Sequence, residues 1–239
     1  MHIGKLTKYD KKLAILIDPD KADENSINLL FTTSGIESTD MILVGGSLLY
    51  NNIDLTIGLI KSNTHIPVVL FPGNAFQISK QADAFMLLNL ISGRNPDLLI
   101  GHHVMAAPKL KQLNIPIIST GYMLFESGHI TSVQYMSNTQ PLPAHKTDIA
   151  VATAIAGELI GMKQLYLEAG SGADHPVSPK IIEAVTNAVS LPIIVGGGIR
   201  TAEQAIQAWN AGANMVVIGT AAEQSPALIS KIISAKATL

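Results

Sequence analysis

The sequence predicts a single (β/α)₈ barrel (TIM barrel) over residues 1–239, and three observations lead to this fold class. The chain has 239 residues, which is close to the usual size of such a barrel. Eight short apolar runs alternate with segments of helical spacing, as parallel strands and crossover helices do. Glycine-rich turns follow the last three runs, where barrels build phosphate sites. The runner-up is a doubly wound open sheet.

The first half of the chain carries five of the apolar runs, and each is interpreted as a strand buried on both faces. They are residues 12–17, 41–44, 67–71, 84–88 and 116–120. Helices are predicted over residues 25–34, closing at Gly35, over 53–62, and over 95–111, beginning at Asn95-Pro96. Only about a dozen residues separate the third run from the fourth, which is the lower limit for a helical crossover. The third helix is therefore expected to be short or replaced by an extended segment.

The second half begins with an irregular stretch and then resumes the alternation. Residues 121–143 are interpreted as a loop or small hairpin over the barrel mouth, because Val133 and Tyr135 have an extended pattern. The remaining elements are an alanine-rich helix over 147–160, strands at 165–167, 193–195 and 215–218, and a terminal helix. Ser178-Pro179 predicts a helix start, and Thr201 with Gln204 has the spacing of a capping box.

Composition excludes several classes of protein. Hydrophobic residues make up 47% and charged residues 14%, so a large core is easily built. The formal net charge is −2 and no basic run occurs, so no nucleic-acid partner is expected. The absence of cysteine excludes disulfides, thiolate catalysis and zinc–sulfur sites. No transmembrane segment and no signal-peptide core at residues 1–5 are recognised, so a cytoplasmic protein is expected. A mean hydropathy of +0.32 indicates buried subunit contacts or an apolar groove.

Functional side chains in barrels lie at the carboxyl ends of the strands, so candidates can be taken from there. They are Asp18, Ser47, Asn74, Asn89, Thr120, Glu168, Gly198 and Thr220. Asp18 and Ser47 follow adjacent strands and offer oxygen ligands for Mg²⁺ near a bound diphosphate. The alternative for Asp18 is a cap of the turn before Pro19.

Glu168 ends a buried strand and opens onto a turn with two glycines, so its charge must be solvated, paired or used. Tyr166 lies on the same face of that strand. The alternative for Glu168 is a structural ion pair with a lysine or arginine. The turns after the last three strands are interpreted as one phosphate site, because glycine lets backbone N–H groups approach an anion. The alternative, that these glycines only end helices, has little support, because Gly196-Gly197-Gly198 stands at the start of a helix.

Other conspicuous residues are assigned less specific roles. His102 and His103 lie within a helical pattern and are interpreted as surface or interface residues, not as ligands. Trp209 is interpreted as part of the core or of a lid.

Four motifs together resemble a known family. They are Asp18-Pro19-Asp20-Lys21, Gly45-Gly46-Ser47, Tyr166-Leu167-Glu168-Ala169-Gly170-Ser171-Gly172 and Gly196-Gly197-Gly198-Ile199-Arg200-Thr201. Over nearly its whole length the chain is similar to the geranylgeranylglyceryl phosphate synthase family and its bacterial heptaprenyl relatives. The similarity is greatest to the archaeal and Bacteroidetes subgroup, not to the Bacillus type. This family also replaces the third barrel helix by a short segment.

The resemblance implies a Mg²⁺-dependent prenyltransferase that moves a geranylgeranyl group from its C20 diphosphate to the 3-hydroxyl of sn-glycerol 1-phosphate. The products would be an ether lipid precursor and diphosphate. By position, Asp18 and Ser47 match the Mg²⁺ ligands, and Glu168, with Tyr166 beside it, matches the carboxylate that takes the hydroxyl proton. The matching glycerol phosphate site comprises Tyr166, Leu167, Glu168, Ala169, Gly170, Ser171, Gly172, Gly197, Gly198, Gly219 and Thr220. A homo-oligomer, either a dimer or a hexamer, and transient membrane contact during product release are also expected.

The donor is expected to bind without the Asp-Asp-x-x-Asp pair of many prenyltransferases, which this chain lacks. Lys21 is a candidate to stabilise the leaving diphosphate beside Mg²⁺. The expected apolar groove for the prenyl tail is lined by Phe71, Phe76, Met86, Leu88, Tyr122 and Phe125. Two other classes of function stay open, namely a phosphosugar isomerase or lyase and a noncatalytic barrel that binds a phosphometabolite.

Overall fold

The protein is a closed barrel of eight parallel strands in sequential order, in a computed structural model that describes residues 6–32, 35–74 and 76–239. The strands are β1 (Lys12–Ile17), β2 (Met41–Val44), β3 (Val68–Leu70), β4 (Ala84–Leu90), β5 (Ile117–Leu124), β6 (Gln164–Glu168), β7 (Ile193–Gly196) and β8 (Met215–Ile218). Pairing of β8 with β1 closes the sheet. The barrel predicted from the sequence is therefore confirmed, and the open sheet is excluded.

Helices follow most of the strands, as the alternating pattern predicts. They are α1 (Glu24–Thr32), α2 (Ile53–Asn63), α3 (His102–Gln112), α4 (Ser132–Ser137), α5 (Thr147–Leu159), α6 (Pro179–Ala188), α7 (Ala202–Asn210), α8 (Thr220–Gln224) and α9 (Ala227–Lys236). A 3₁₀ turn covers Ile36–Ser38, and a π-helical turn at Asp97–Gly101 leads into α3. The predicted end of the first helix at Ser34 and the predicted absence of a signal peptide at residues 1–5 concern positions outside the described residues.

Two apolar layers account for the continuous hydrophobic runs in the strands. One layer fills the barrel interior and includes Leu43, Met86 and Tyr166. The other lies between the strands and the surrounding helices and includes Trp209, which is fully buried and donates from Nε1 to the Lys12 carbonyl. Because each strand is covered on both faces, its residues are apolar in succession instead of alternating.

The connection between β3 and β4 contains no helix in the part of the chain that the structure describes, as the short spacing predicts. Its Gln77 side chain accepts from the Gly73 N–H at 2.9 Å and donates to the Gly46 carbonyl at 2.8 Å. The amide thereby ties the turn after β3 to the turn after β2. Turns, bends and irregular backbone take the place of the missing helix in the described part of this connection.

The interpretation of residues 121–143 as a loop or hairpin is wrong in two respects. The β5 strand continues to Leu124, and Val133 and Tyr135 belong to the short helix α4 instead of an extended segment. Gly121 is the misleading residue, because a Cβ there would come within 2.7 Å of the Leu165 side chain. Close packing between neighbouring elements, and not a turn, therefore requires this glycine.

The helices beside the last strands begin as predicted. Ser178 Oγ accepts from the Ile181 N–H, and Thr201 with Gln204 forms a complete capping box at the start of α7. Among the described helices, none has both the length and the apolar character that crossing a bilayer would require.

Candidate active site

A cavity of about 1020 Å³ opens at the carboxyl ends of the barrel strands. Most of the predicted site residues line it, namely Asp18, Ser47, Tyr166, Glu168, Ser171, Gly172, Gly197, Gly198, Gly219 and Thr220. Leu167 and Ala169 instead face the outer apolar layer, so only their backbone can serve the site. Of the other strand-end candidates, Asn74 lines the cavity, whereas Thr120 is buried against Gln164 and Asn89 bonds to the Leu87 carbonyl.

Glu168 is buried at the floor of this cavity, with 5% of its surface exposed. Its Oε1 accepts from the Gly170 N–H at 2.5 Å, and its carboxylate is hydrogen-bonded by the side chains of Tyr122 and Tyr166. Burial raises the pKa of Glu168 from 4.5 to about 7, against the opposing effect of these hydrogen bonds. No lysine or arginine of the described residues forms an ion pair with it, so the structural ion pair is excluded. A carboxylate with a pKa near neutrality is suited to general base catalysis.

Three aromatic rings form the floor beneath Glu168. Tyr122 and Tyr166 stack with ring centroids 5.5 Å apart, and Phe71 lies 5.0 Å from Tyr166. Burial, followed by the nearby charge of Glu168, raises the pKa of both tyrosines well above the usual value, so their hydroxyls stay protonated donors. Tyr122 was expected only as a wall of the prenyl groove. Its pairing opposite Tyr166 across β5 and β6 could not be known without the strand register.

The turns after β6, β7 and β8, here called the glycine turns (residues 169–172, 197–198 and 219–220), meet on one side of the cavity. Ser171 Oγ lies 3.1 Å from Thr220 Oγ1, which joins the first turn to the last. Gly170, Gly172, Gly197 and Gly198 all have positive φ, between 71° and 102°. Within the described ranges, the N–H groups of Ser171, Gly172, Gly197 and Gly198 meet no protein acceptor. Unpaired N–H groups directed at a cavity are the usual framework of an anion site.

Glycine is also required in the middle turn for steric reasons. A Cβ on Gly197 would overlap the Glu168 carboxylate, and one on Gly196 would overlap the Tyr166 hydroxyl. A Cβ on Gly198 would come within 2.8 Å of the His175 backbone, so a side chain there would disturb the fold before it met a ligand. The glycine turns are therefore packed directly around the candidate catalytic carboxylate.

Next to the last of the glycine turns, since β1 pairs with β8, lies the region here called the β1–β2 edge (Asp18, Gly46 and Ser47), which offers side-chain oxygens. Asp18 Oδ1 accepts from the Asp20 N–H at 3.1 Å, and Oδ2 lies 3.3 Å from Lys21 Nζ. The turn-capping alternative for Asp18 is therefore real, but Asp18 also faces the cavity beside Ser47. Glu223 of α8 lines the same edge and was missed by sequence reasoning; burial, and the nearby Asp18 charge, raise its pKa against the effect of Lys21.

Asp20, the second aspartate of the first motif, holds this edge together. Its carboxylate accepts from the N–H of Tyr50 at 3.0 Å and from that of Asn51 at 2.8 Å. The loops after β1 and β2 are joined in this way, which places Asp18 near Gly46.

The donor set of the β1–β2 edge fits magnesium. Carboxylate and hydroxyl oxygens are hard ligands, and Mg²⁺ takes few protein ligands when waters and substrate phosphates complete its shell. Among the described residues, no group of three or more histidine, aspartate or glutamate side chains could hold a metal without such help.

The remaining cavity wall is apolar and comes mainly from β4, α3 and α4. It includes Phe85, Leu87, Leu88, Leu90, Leu98, Ala106 and Val133. Of the expected groove residues, Phe71, Leu88 and Tyr122 line the cavity, whereas Met86 and Phe125 are core residues and Phe76 is 81% exposed.

The two histidines, interpreted from the sequence as surface or interface residues and not as ligands, are half-buried. Both contribute to the cavity wall, and the His103 ring nitrogens lie 2.8 Å from the Leu88 carbonyl and 3.1 Å from the Leu99 carbonyl. The π-helical turn at Asp97–Gly101 precedes them directly. A regular helical pattern could not show which face of this helix meets the cavity.

Comparison with known proteins identifies the family. The family model described as "PcrB family" matches residues 6–236. The geranylgeranylglyceryl phosphate synthase of Flavobacterium johnsoniae is 50% identical over 215 residues, which cover 89% of this chain and 88% of that protein. The synthase of Thermococcus gammatolerans is 38% identical over 234 residues, covering 94% of this chain and 92% of that protein.

A solved structure agrees with these sequence relationships. The crystal structure of (S)-3-O-geranylgeranylglyceryl phosphate synthase from Thermoplasma acidophilum, in complex with sn-glycerol-1-phosphate, superposes with a TM-score of 0.91 at 31% identity. The match covers 97% of this chain and 95% of the other. The motif resemblance is thus confirmed over the whole barrel, and the chain belongs to the PcrB family, together with geranylgeranylglyceryl phosphate synthases of bacteria and archaea.

Proposed function

We propose that the protein transfers a geranylgeranyl group from geranylgeranyl diphosphate to the 3-hydroxyl of sn-glycerol 1-phosphate. The observation that carries this proposal is the position of Glu168. A buried carboxylate with a pKa of about 7 lies between an anion-binding set of backbone N–H groups and an apolar cavity wall. These are the three elements that alkylation of a phosphorylated alcohol by a lipid donor needs.

The glycine turns supply the acceptor site in this proposal. Phosphate would accept from the N–H groups of Ser171, Gly172, Gly197 and Gly198, which have no protein acceptor within the described part of the chain. The Thermoplasma acidophilum relative was crystallised with sn-glycerol-1-phosphate, which supports the same ligand here. Phosphate held at these turns would leave the glycerol carbons extending toward Glu168, which lies beside Gly197.

Glu168 is assigned the role of general base. The glycerol 3-hydroxyl oxygen forms a bond to C1 of the prenyl group while the bond from C1 to the diphosphate oxygen breaks. The hydroxyl proton moves to the Glu168 carboxylate, and diphosphate leaves with the bonding electron pair. Tyr122 and Tyr166 orient the carboxylate by their hydrogen bonds and stay protonated throughout.

Asp18 and Ser47 are the residues that would hold Mg²⁺. Bound there, the ion would neutralise charge on the leaving diphosphate. Lys21 lies 3.3 Å from Asp18 and adds a second positive charge at the same edge. The apolar wall from β4, α3 and α4 would accommodate the prenyl tail, for which we propose a C20 chain.

The cellular setting belongs to the same proposal. We expect a cytoplasmic enzyme that contacts the membrane transiently when the lipid product leaves. A homo-oligomer, a dimer or a hexamer, would cover the apolar outer face of α5, where Ile149, Ile155 and Leu159 are exposed.

The test is incubation of the protein with labelled sn-glycerol 1-phosphate and C10, C15, C20 or C35 prenyl diphosphates, with and without Mg²⁺. We expect a lipid-extractable product that requires Mg²⁺ and forms fastest with the C20 donor. Binding of glycerol phosphate without product from any donor would favour the noncatalytic barrel. Conversion of a phosphosugar without a prenyl donor would favour an isomerase or lyase.

A further inference from the structure

Arg200 reaches from the turn after β7 to the turn after β6. Its Nη2 donates to the carbonyls of Ala173 at 2.7 Å and Gly172 at 3.2 Å, and its Nη1 donates to the Asp174 carbonyl at 3.3 Å. The guanidinium thus holds three successive backbone carbonyls of the first glycine turn and the residues that follow. A guanidinium spreads five donors over a rigid planar fork, whereas a lysine ammonium has three donors on a single nitrogen.

The backbone of Arg200 is itself fixed. Its N–H donates to Gln204 Oε1 at 2.7 Å, and Gln204 with Thr201 forms the capping box of α7. The side chain therefore extends from a rigid helix start.

The guanidinium charge is not neutralised by the described residues, among which Arg200 forms no ion pair. The carboxylate of Asp174, whose backbone carbonyl Arg200 contacts, lies 3.3 Å from His129 Nδ1 instead. Carbonyl groups are neutral acceptors, so a full positive charge remains at the rim of the cavity that Arg200 lines.

The turn that Arg200 holds would otherwise have unusual backbone freedom. Gly170 and Gly172 both lie in the left-handed region, with φ of 102° and 75°. Fixing the peptide groups that follow Gly172 limits the directions in which the N–H groups of Ser171 and Gly172 can point. Donors that are already oriented bind an anion more tightly than donors that must be ordered on binding.

We propose that Arg200 is a positioning residue for the phosphate group of the acceptor. It keeps the glycine turn in its binding shape and contributes one positive charge, without touching the reacting atoms. The proposal rests on the proposed function only in taking a phosphate monoester as the ligand. It follows that Arg200 controls acceptor affinity and leaves the bond-forming step unchanged.

The chain offers a matched control, because it contains only two arginines, Arg94 and Arg200. Arg94 also donates to backbone carbonyls, those of Gly93 at 2.8 Å and Ser92 at 3.4 Å. It lies in the loop after β4, apart from the glycine turns. The Arg94 variant therefore shows whether the loss of any arginine that holds backbone carbonyls has the same effect as the loss of Arg200.

The experiment is calorimetric titration of wild type, Arg200→Gln, Arg200→Lys and Arg94→Gln with sn-glycerol 1-phosphate and, separately, with inorganic phosphate. Steady-state transfer kinetics and a salt series accompany it. Arg200→Gln should raise Kd for both ligands, and KM for the acceptor, at least about tenfold, with kcat within about twofold. Arg200→Lys should recover part of the affinity at low salt only, since it restores the charge without the fork. Arg94→Gln should match wild type.

An unchanged Kd in folded Arg200→Gln would overturn the proposal, as would an equal loss in Arg94→Gln or a fall in kcat at constant KM. If Arg200→Gln does not fold, the test rests on Arg200→Lys, which lacks the guanidinium. Wild-type phosphate affinity in Arg200→Lys would exclude a role for the guanidinium in holding the turn. Failure of the proposed function gives a different result. Wild type would then form no prenyl product, while phosphate binding would still depend on Arg200.

Discussion

The two sides of the barrel mouth both use glycine, but for different physical purposes. At the β1–β2 edge, a Cβ on Gly45 would overlap the Phe71 carbonyl, so glycine lets neighbouring turns pack together. The glycine turns are also closely packed, but Gly172 has positive φ and no atom within 4 Å of the place of a Cβ, so glycine at this position serves backbone shape and access. One side offers side-chain oxygens to a cation, and the other offers backbone N–H groups to an anion.

This difference divides the proposed reaction between the two sides. The β1–β2 edge would bind the donor diphosphate with its metal, and the glycine turns would bind the acceptor phosphate. Glu168 ends β6 on the acceptor side, where its Oε1 accepts from the Gly170 N–H and lies beside Gly197. Substitutions that affect one side only can therefore test this division.

The largest effect is expected from Glu168→Gln. The amide keeps the shape of the carboxylate but cannot accept the hydroxyl proton, so turnover should fall at least about 100-fold. Glycerol phosphate affinity, measured by calorimetry, should change little. Glu126→Gln is the matched control, because Glu126 accepts from the Ala144 N–H outside the site. Near-normal turnover of Glu168→Gln would remove Glu168 from the mechanism.

The same variant should be more stable than wild type at alkaline pH. The pKa of Glu168 is about 7 in the folded protein and 4.5 in the unfolded chain, so folding favours the protonated carboxyl. Its ionisation therefore costs nothing below pH 4.5, and the cost grows to about 3 kcal/mol above pH 7. Chemical unfolding at pH 5 and pH 8 should show the advantage of Glu168→Gln mainly at pH 8, with less than about 1 kcal/mol of it at pH 5. Equal differences at both pH values would contradict the elevated pKa.

A similar pH range should govern activity. If the ionised carboxylate is the base, kcat/KM should rise with pH and level off above about pH 7, so the value at pH 6 should be about one tenth of the plateau. A rate profile between pH 5 and pH 9 at saturating Mg²⁺ measures this. A profile that is flat across pH 7 would show that another group takes the proton.

Asp18→Asn tests the β1–β2 edge. Loss of the carboxylate charge should raise the Mg²⁺ concentration needed for half-maximal rate by about tenfold. Asp148→Asn, on the exposed first turn of α5, serves as control. Overlapping magnesium titrations of Asp18→Asn and wild type would place the metal elsewhere.

The smallest effect is expected from Gly219→Ala. A Cβ there would lie 3.5 Å from Leu16, an ordinary contact, so the fold should tolerate it. The methyl group would still narrow the anion site, and we expect Kd for glycerol phosphate to rise about three- to tenfold with little change in melting temperature. Unchanged affinity would limit the phosphate site to the other two turns.

The sequence predicts the fold well because period and spacing are local properties. The eight strands, the missing third helix and the capping box of α7 all follow from residues that are close in the chain. The extension of β5 was missed because Gly121 is a usual sign of a turn, whereas here it allows close approach to Leu165.

The candidate site is predictable only in part, for a related reason. The sequence places Glu168, Asp18 and the glycine turns at strand ends, and Glu168, Asp18 and part of each glycine turn line the cavity. It does not show that Tyr122 bonds to Glu168 or that Arg200 holds the Ala173 carbonyl, because both contacts join distant parts of the chain. Nor do Gly45-Gly46 and Gly197-Gly198 differ in sequence, although only the second pair has positive φ.

The division of labour between the two sides is tested most directly by titrating sn-glycerol 1-phosphate into metal-free protein by calorimetry. If the glycine turns alone hold the acceptor phosphate, wild type and Asp18→Asn should bind it in the presence of a chelator with Kd values within about threefold of each other. A requirement for Mg²⁺, or affinity at least about tenfold weaker in Asp18→Asn, would show that the β1–β2 edge also binds the acceptor and would contradict the account.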